Sequence, residues 1–274
     1  MTEAQEEYVS SRIAVPKIYE EVFSHFYYAE NGSSHTISKT LLPSFQTILI
    51  FNFGSKLILH SKNHTALAID KCIVLGPIKR AIDYSLPGNS KILVANFKGD
   101  AFYRFFGETS LIEHFPMNPD HLLGANCFTA VWNELNKIGD VNQQINYILE
   151  FCQPYLKLRN KIAQQLLNFN DETLSPIKSI ATQQNQTERN IQLHHKKALG
   201  FTAKEVNRYQ RFLKALALMQ HIASTSPKID WFEIIAQCNY YDQSQLIHDF
   251  KHYINLSPTK YLKFQRDICI ANAE

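Results

Sequence analysis

The stretch YYDQSQLIHDFKHYINLSPTK, residues 240–260, opens a helix with four polar residues, Asp242, Gln243, Ser244 and Gln245, and then sets Leu246, Ile247 and Phe250 at the spacing of one buried face. A copy of it lies upstream. SIATQQNQTERNIQLHHKKALGFTAKE, from Ser179, overlays IIAQCNYYDQSQLIHDFKHYINLSPTK, from Ile234, at an offset of 55 residues. Ala181 falls on Ala236, where a small residue lets two helices approach, and Thr187 falls on Asp242, both helix-opening caps. Ile191 falls on Leu246 and Leu199 on Ile254, the apolar stripe. Gly200 falls on Asn255, the two residue types that best tolerate the left-handed conformation ending a helix, and Thr202 falls on Ser257, again caps. Each copy reads as helix, tight turn, capped second helix and stop. These are helix-turn-helix units over about residues 178–200 and 231–255.

Caps account for Asp242 with Gln245, Thr202 with Glu205 and Asp230 with Glu233, which have capping-box spacing. They do not account for Gln243, Ser244 and His248, which project opposite Leu246 and Phe250. In a helix-turn-helix, residues so placed on the second helix meet base edges in the major groove. Between the copies, residues 203–221 set Val206, Tyr209, Phe212, Leu213, Leu216 and Met219 at helical spacing. A helix of that length spans roughly 28 Å at about 1.5 Å per residue. That is close to the roughly 34 Å between successive major-groove faces on one side of B-DNA. One chain can thus reach two adjacent grooves.

The second copy resembles the signature of AraC/XylS-type bacterial transcription regulators through Ile235-Ala236, Tyr240, Asp242-Gln243-Ser244, Phe250-Lys251, Ser257-Pro258 and Tyr261. With the first copy the resemblance covers about residues 170–268. It implies a DNA-binding domain over residues 170–274 that reads double-stranded DNA sequence-specifically through two units joined by a long helix. The turn glycine of the pattern is Asn239 here, the arginine of the second reading helix is His248, and in the first unit the usual Arg and Phe are Leu193 and His195. Arg189, Gln192, Gln243, Ser244 and His248 are the base-reading candidates, because Arg pairs bidentately with guanine and Gln with adenine. Thr187, Lys196, Lys197, Asp242 and Lys251 are candidates for the phosphate backbone. RNA polymerase is a further candidate partner, and no cofactor is implied.

Residues 1–169 are expected to form a β-rich regulatory or dimerisation domain, and the fold class is α+β. VFSHFYYA, TILIFNFG, KCIVLG, AIDYSL and KILVANF are short strand-like runs, with an Asn31-Gly32 turn, and suggest a small β-barrel or sandwich. Trailing helices follow: a short one capped by Asp100 and stopped by Gly107, then residues 120–137 and 141–168, the last kinked or divided at Pro154. A polar linker runs from Asn168 to Ser175, and everything beyond it reads as helical. LLPSFQTILIFNFG, VLGPIKRAIDYSL and NFKGDAFYRFFG resemble a β-rich domain preceding the DNA-binding module in many regulators of the family, which implies sensing of a small-molecule effector or dimerisation. Phe97, Phe102, Tyr103, Phe105 and Phe106 either line an effector pocket or fill the core. Leu122, Leu123, Phe128, Val131, Trp132 and Leu135, with Ile145, Ile148, Leu149, Cys152, Leu156 and Ile162, offer more apolar surface than one small barrel covers. A homodimer is expected from that excess.

Composition agrees with this reading. The chain has 274 residues, 45% hydrophobic, and a net charge of +3. From Lys178 to Lys263 there are 12 Lys and Arg against 6 Asp and Glu, while residues 1–169 hold 15 of each, so the positive field sits where a polyanion would bind. Five scattered cysteines without a Cys-x-x-Cys pair read as reduced thiols, and with no signal peptide and no apolar membrane span a soluble cytoplasmic protein is expected. No Gly-x-Ser-x-Gly, Walker loop or dinucleotide fingerprint is present, so an enzyme is not expected. His60 and His64 have no nearby carboxylate and read as no metal site, His248 and His252 read as a solvated pair, and His195 as a core residue. The competing reading is a β-barrel ligand-binding protein or enzyme whose helical part mediates protein contacts.

Overall fold

The computed structural model describes residues 8–60, 66–107, 115–169, 175–225, 230–263 and 268–269. The run ILIFNF is near-continuously apolar because its strand is buried on both faces. It is β4 (Ile48–Gly54), in a sheet with β1 (Tyr8–Ile13), β2 (Phe23–Asn31), β7 (Cys72–Leu75) and β9 (Ser90–Phe97), ordered β1-β2-β9-β4-β7. Successive side chains of a strand point to opposite faces. Accordingly Ile48 and Ile50, with Ile92 and Val94 of β9, face a second sheet, while Leu49, Phe51 and Phe53, with Leu93 and Phe97, face helices. The second sheet contains β3 (Ile37–Leu41), β5 (Leu57–His60), β6 (Ala66–Ile69), β8 (Ile82–Leu86) and β10 (Ile268–Cys269), ordered β10-β3-β8-β5-β6. The N-terminal part is therefore a two-sheet sandwich, one of the two forms expected, with helices on its other face.

Those helices are α1 (Ala101–Phe106), α2 (Pro119–Leu123), α3 (Cys127–Leu135) and α4 (Val141–Cys152), and α5 (Lys161–Leu167) follows them in a separate cluster, with Ile162 packed against Ile177, Ile180 and Ile191. Four details depart from the sequence reading. The helix expected over residues 120–137 is two helices, because Gly124 is left-handed at φ 65° and closes α2. Asp100 makes no side-chain cap on α1; its carboxylate is held by Arg159 Nε at 3.0 Å. Asn31 does not open a two-residue hairpin, since β2 and β3 lie in different sheets. Its amide instead donates to His35 O at 2.7 Å and Leu86 O at 2.8 Å, pinning the crossover. The chain is also not helical to its end, because β10 pairs in parallel with β3. Pro154 does divide its segment, within a 3-10 turn at Gln153–Tyr155. The expected linker lies mostly in residues 170–174, outside the described residues.

Much of the apolar surface on which a homodimer was expected is covered within the chain, while Leu122, Leu123 and Leu156 stay partly exposed. Phe128, Val131, Leu135, Ile145, Ile148, Leu149 and Cys152 are at most 3% exposed and belong to one core with β4 and β9, so these faces are consumed within the chain. Cys72, Cys127, Cys152 and Cys238 are free thiols. Among the described residues no helix is long and apolar enough to cross a membrane.

The helical C-terminal part comprises α6 (Pro176–Gln183), α7 (Glu188–Leu199), α8 (Ala203–Thr225), α9 (Trp231–Gln237), α10 (Gln243–Ile254) and α11 (Pro258–Lys263). Its second unit shares a core with the sandwich. Leu42, just past β3, is 5% exposed inside the cluster of Tyr209, Phe212, Phe250 and Tyr253. Phe45 stacks on Tyr209 at 4.5 Å, the Tyr209 hydroxyl donates to Pro43 O, Ala81 N donates to Tyr253 O at 2.7 Å, and Lys79 pairs with Glu205 at 2.7 Å. Gly200, at φ 78°, closes α7 where a Cβ would stand 2.1 Å from the Tyr103 hydroxyl, so conformation and close approach both require glycine.

Candidate nucleic-acid interface

The 55-residue repeat is carried into three dimensions: α7 and α10 have 12 residues each and start at Glu188 and Gln243, one offset apart. Thr187 caps α7 by accepting from Asn190 N, and Asp242 caps α10 by accepting from Gln245 N at 2.7 Å. Gln245 Oε1 reaches back to accept from Tyr241 N at 2.9 Å. Thr202 and Glu205 form a reciprocal capping box at the start of α8, with Glu205 Oε2 accepting from Thr202 N at 2.7 Å. Asn255 closes α10 at φ 57°, as Gly200 closes α7. The turns contain Asn185 at φ 51° and Asn239 at φ 57°, so Asn239 adopts the conformation for which the signature has glycine. The second turn is one residue longer, which places Asn239 three residues before its cap and Asn185 two.

Each second helix buries one face and presents the other. Ile191, His195 and Leu199 are buried on α7, and Leu246, Phe250 and Tyr253 on α10. Arg189, Gln192 and Lys196 form an exposed stripe on α7, and Gln243, Ser244, His248 and Lys251 one on α10. Thr187 and Asp242 are exposed caps at the tips of these stripes. Lys197, though exposed, also lines a cleft of about 290 Å³ against Tyr103, Arg104 and Lys157, away from the α7 stripe. His195 is buried edge-on to Phe201 with Nδ1 2.8 Å from Phe201 O; burial holds its pKa below the ordinary value. It is the core residue the sequence suggested.

Two side chains stand out that were not among the candidate contacts. Leu193 is 51% exposed in the α7 position that matches His248, and its signal was the repeat register itself. Asp249 is 1% exposed and paired with both Arg208 and Arg211 of α8, at 2.7 and 2.9 Å. His252, expected to be solvated, is half-buried and stacks on His248 at 6.4 Å. Burial first, then the charges of Arg208 and Arg80, lower its pKa to about 4, so it is neutral near pH 7. Leu213, expected in the apolar stripe of α8, is 39% exposed, while Ala215 in the same helix is fully buried. α8 has 23 residues, which is about 34 Å of helix.

The aromatic cluster of the first part is mostly core. Phe97, Phe102 and Phe106 are at most 7% exposed and pack on one another at 4.7 to 6.3 Å, in the core with Phe105. Tyr103 lies on the cleft beside α7. A mostly apolar cavity lies elsewhere, between the two sheets, with about 130 Å³ of space. Ile48, Ile50, Leu57 and Val94 line its apolar walls, and Arg12 and His25 supply polar groups. His25 is 4% exposed with a pKa lowered to about 4, by burial first and then by Arg12. Leu41 and Ile82, paired in register across β3 and β8, also line it. Their chain neighbours Leu42 and Ala81 are the residues seated against α8 and α10.

A sandwich joined to two tandem helix-turn-helix units is thus the architecture. No protein-family model and no curated protein matches the chain. Among solved structures, ToxT from Vibrio cholerae is similar at 14% identity over 94% of this chain and 98% of that one, with a TM-score of 0.39. ToxT bound to an unsaturated fatty acid gives 13% over 96% and 97%, with a TM-score of 0.37. An RmlC-like cupin protein from Desulfovibrio desulfuricans gives 12% over 34% and 83%, with a TM-score of 0.27. Likeness of this size does not carry those proteins' functions to this chain.

Proposed function

We propose that this chain is a sequence-specific, double-stranded DNA-binding transcription regulator of the AraC/XylS type, with α7 and α10 as its two reading helices. The observation that carries the proposal is the repeat: two helices of 12 residues, capped and stopped alike, each turning an exposed polar stripe outward from a buried apolar one. A structural bundle requires the caps and the buried stripes; it does not require Arg189, Gln192, Gln243 and Ser244 on the outer faces, where base edges would meet them. Lys196 and Lys251, at matching repeat positions, supply the phosphate contacts that position each helix. An effector acts from the cavity between the sheets rather than from the aromatic cluster. The homodimer uses surfaces other than the buried faces of α3 and α4.

Selection of bound fragments from genomic DNA, followed by retardation at increasing salt, tests the proposal. A recovered motif with two half-sites about one helical turn apart is expected, together with affinity that falls linearly on a logarithmic salt scale. Recovery of no motif, with binding equal on all sequences, refutes it.

A further inference from the structure

Asp249 is an acid on the inward face of α10, in line with Leu246, Phe250 and Tyr253, and it is 1% exposed. Its two oxygens are divided between two arginines of α8: Oδ1 accepts from Arg208 Nε at 2.7 Å and Oδ2 from Arg211 Nη2 at 2.9 Å. Both guanidiniums also lie over rings, Arg208 over Tyr253 at 5.6 Å and Arg211 over Tyr240 at 4.5 Å. Arg208 is therefore fixed in place, and its Nη2 stands 3.0 Å from His248 Nδ1. A guanidinium has donors only, so Nδ1 of His248 accepts. An imidazole that accepts at Nδ1 is neutral and carries its proton on Nε2. The first unit lacks this arrangement, because the repeat places Leu193 and His194 where His248 and Asp249 stand.

We propose that Asp249 and Arg208 form a tautomer lock that makes His248 a hydrogen-bond donor through Nε2. The second unit then demands an acceptor on the base it meets: N7 or O6 of guanine, N7 of adenine or O4 of thymine. It rejects cytosine, whose major-groove edge presents the N4 donor. Asp249 and Arg208 are positioning residues; His248 is the group that touches the base. The inference rests on α10 entering a major groove, and the experiment separates the two claims.

Arg208→Met is the primary variant, because its side chain is 31% exposed and Asp249 keeps Arg211, whereas an Asp249 substitution leaves both arginines without their carboxylate. Long-range nitrogen-15 correlation spectra of the full chain, with His248 assigned through His248→Gln, report the tautomer without DNA. The expected wild-type pattern is a protonated Nε2 and a bare Nδ1, changing to a mixture of tautomers in Arg208→Met. A protonated Nδ1 in the wild type, or no change in the variant, overturns the lock. Selection from randomised DNA gives the second measurement. Wild type should exclude cytosine at one position by about fivefold to a hundredfold, and Arg208→Met should admit it there alone. A loss spread evenly over all positions means that Arg208 only packs, which overturns the donor assignment. A chain with the expected tautomer that selects no sequence upholds the lock and overturns the DNA reading.

Discussion

Leu42→Ala tests whether the sandwich and the second helix-turn-helix unit are one cooperative structure. Leu42 belongs by sequence to the β-rich part, directly after β3, yet 95% of its surface is covered, in the cluster of Tyr209, Phe212 and Tyr253. Burying a leucine contributes about 1.5 to 3 kcal/mol, and the cavity left by truncation adds to the loss. Collapse is restrained here, because the Phe45 stack on Tyr209 and the Tyr209 hydroxyl bond to Pro43 hold the rim from both sides. The destabilisation should therefore fall in the upper half of the roughly 2 to 5 kcal/mol range for such truncations. The chain has two tryptophans, Trp132 in α3 and Trp231 at the start of α9, so variants keeping one or the other report on each part during urea unfolding. Both reporters should give one coincident transition in the wild-type background, and Leu42→Ala should move the Trp231 transition to lower urea. An unchanged Trp231 midpoint would show that Leu42 lies loosely on the helical core and refute the reasoning. A fragment from about Asp171 loses Leu42, Phe45 and Ala81 together and should melt below the full chain.

Gln243→Ala should weaken operator binding by about 1 to 3 kcal/mol while sparing non-specific DNA, as measured by anisotropy on both kinds of duplex. Lys251→Ala should lower affinity on every sequence and reduce the slope against log salt by about one; an undiminished slope contradicts a phosphate contact. Burial and Arg12 hold His25 near a pKa of about 4, below the ordinary histidine value, so unfolding takes up a proton between the two. The stability this gives is complete above about pH 6.5 and is lost as pH falls toward 4, on the order of 2 kcal/mol by pH 5. Urea titrations of His25→Asn should lack that loss; an equal decline in both proteins counts against it. Leu193→Ala should reduce preference for thymine at one position of the first half-site, because an exposed leucine on a reading stripe is placed to touch its methyl group. Unaltered selection at every position would exclude that contact.

The repeat was legible because caps, apolar period and left-handed stops are local signals, and each recurred at one offset. Thr187 and Asp242 needed nothing distant to cap their helices. The sheets were less legible, since β4 reads simply as an apolar run. Only stacking decides that Ile50 faces one core and Phe51 another. Asn31 misled for the same reason: Asn-Gly has hairpin character, but its amide is taken by Leu86 O, 55 residues away. Asp100 looked like a cap until Arg159, 59 residues on, claimed its carboxylate. The cavity had no local signature at all, being the space left where Ile48, Leu57 and Val94 from both sheets fail to meet. Asp249 could have been found. An acid in register with Leu246, Phe250 and Tyr253 must be buried, a buried acid needs a cation, and Arg208 and Arg211 stand three apart on the connecting helix.

The seam between the parts also bears on how an effector would act. Leu41 and Ile82 are cavity wall, and Leu42 and Ala81 are interdomain seat, so each strand end passes from one role to the other across a single peptide bond. The strands are cross-paired at this point, Leu41 with Ile82, so their ends cannot move independently. A ligand that spreads the Leu41–Ile82 rim would shift the backbone of residue 81, whose N–H is bonded to Tyr253 O near the end of α10. Coupling requires that the ligand bind the two positions of that rim with different affinity; occupancy alone shifts nothing. Leu42 and Ala81, seated in the helical core, thus connect the cavity wall directly to α10.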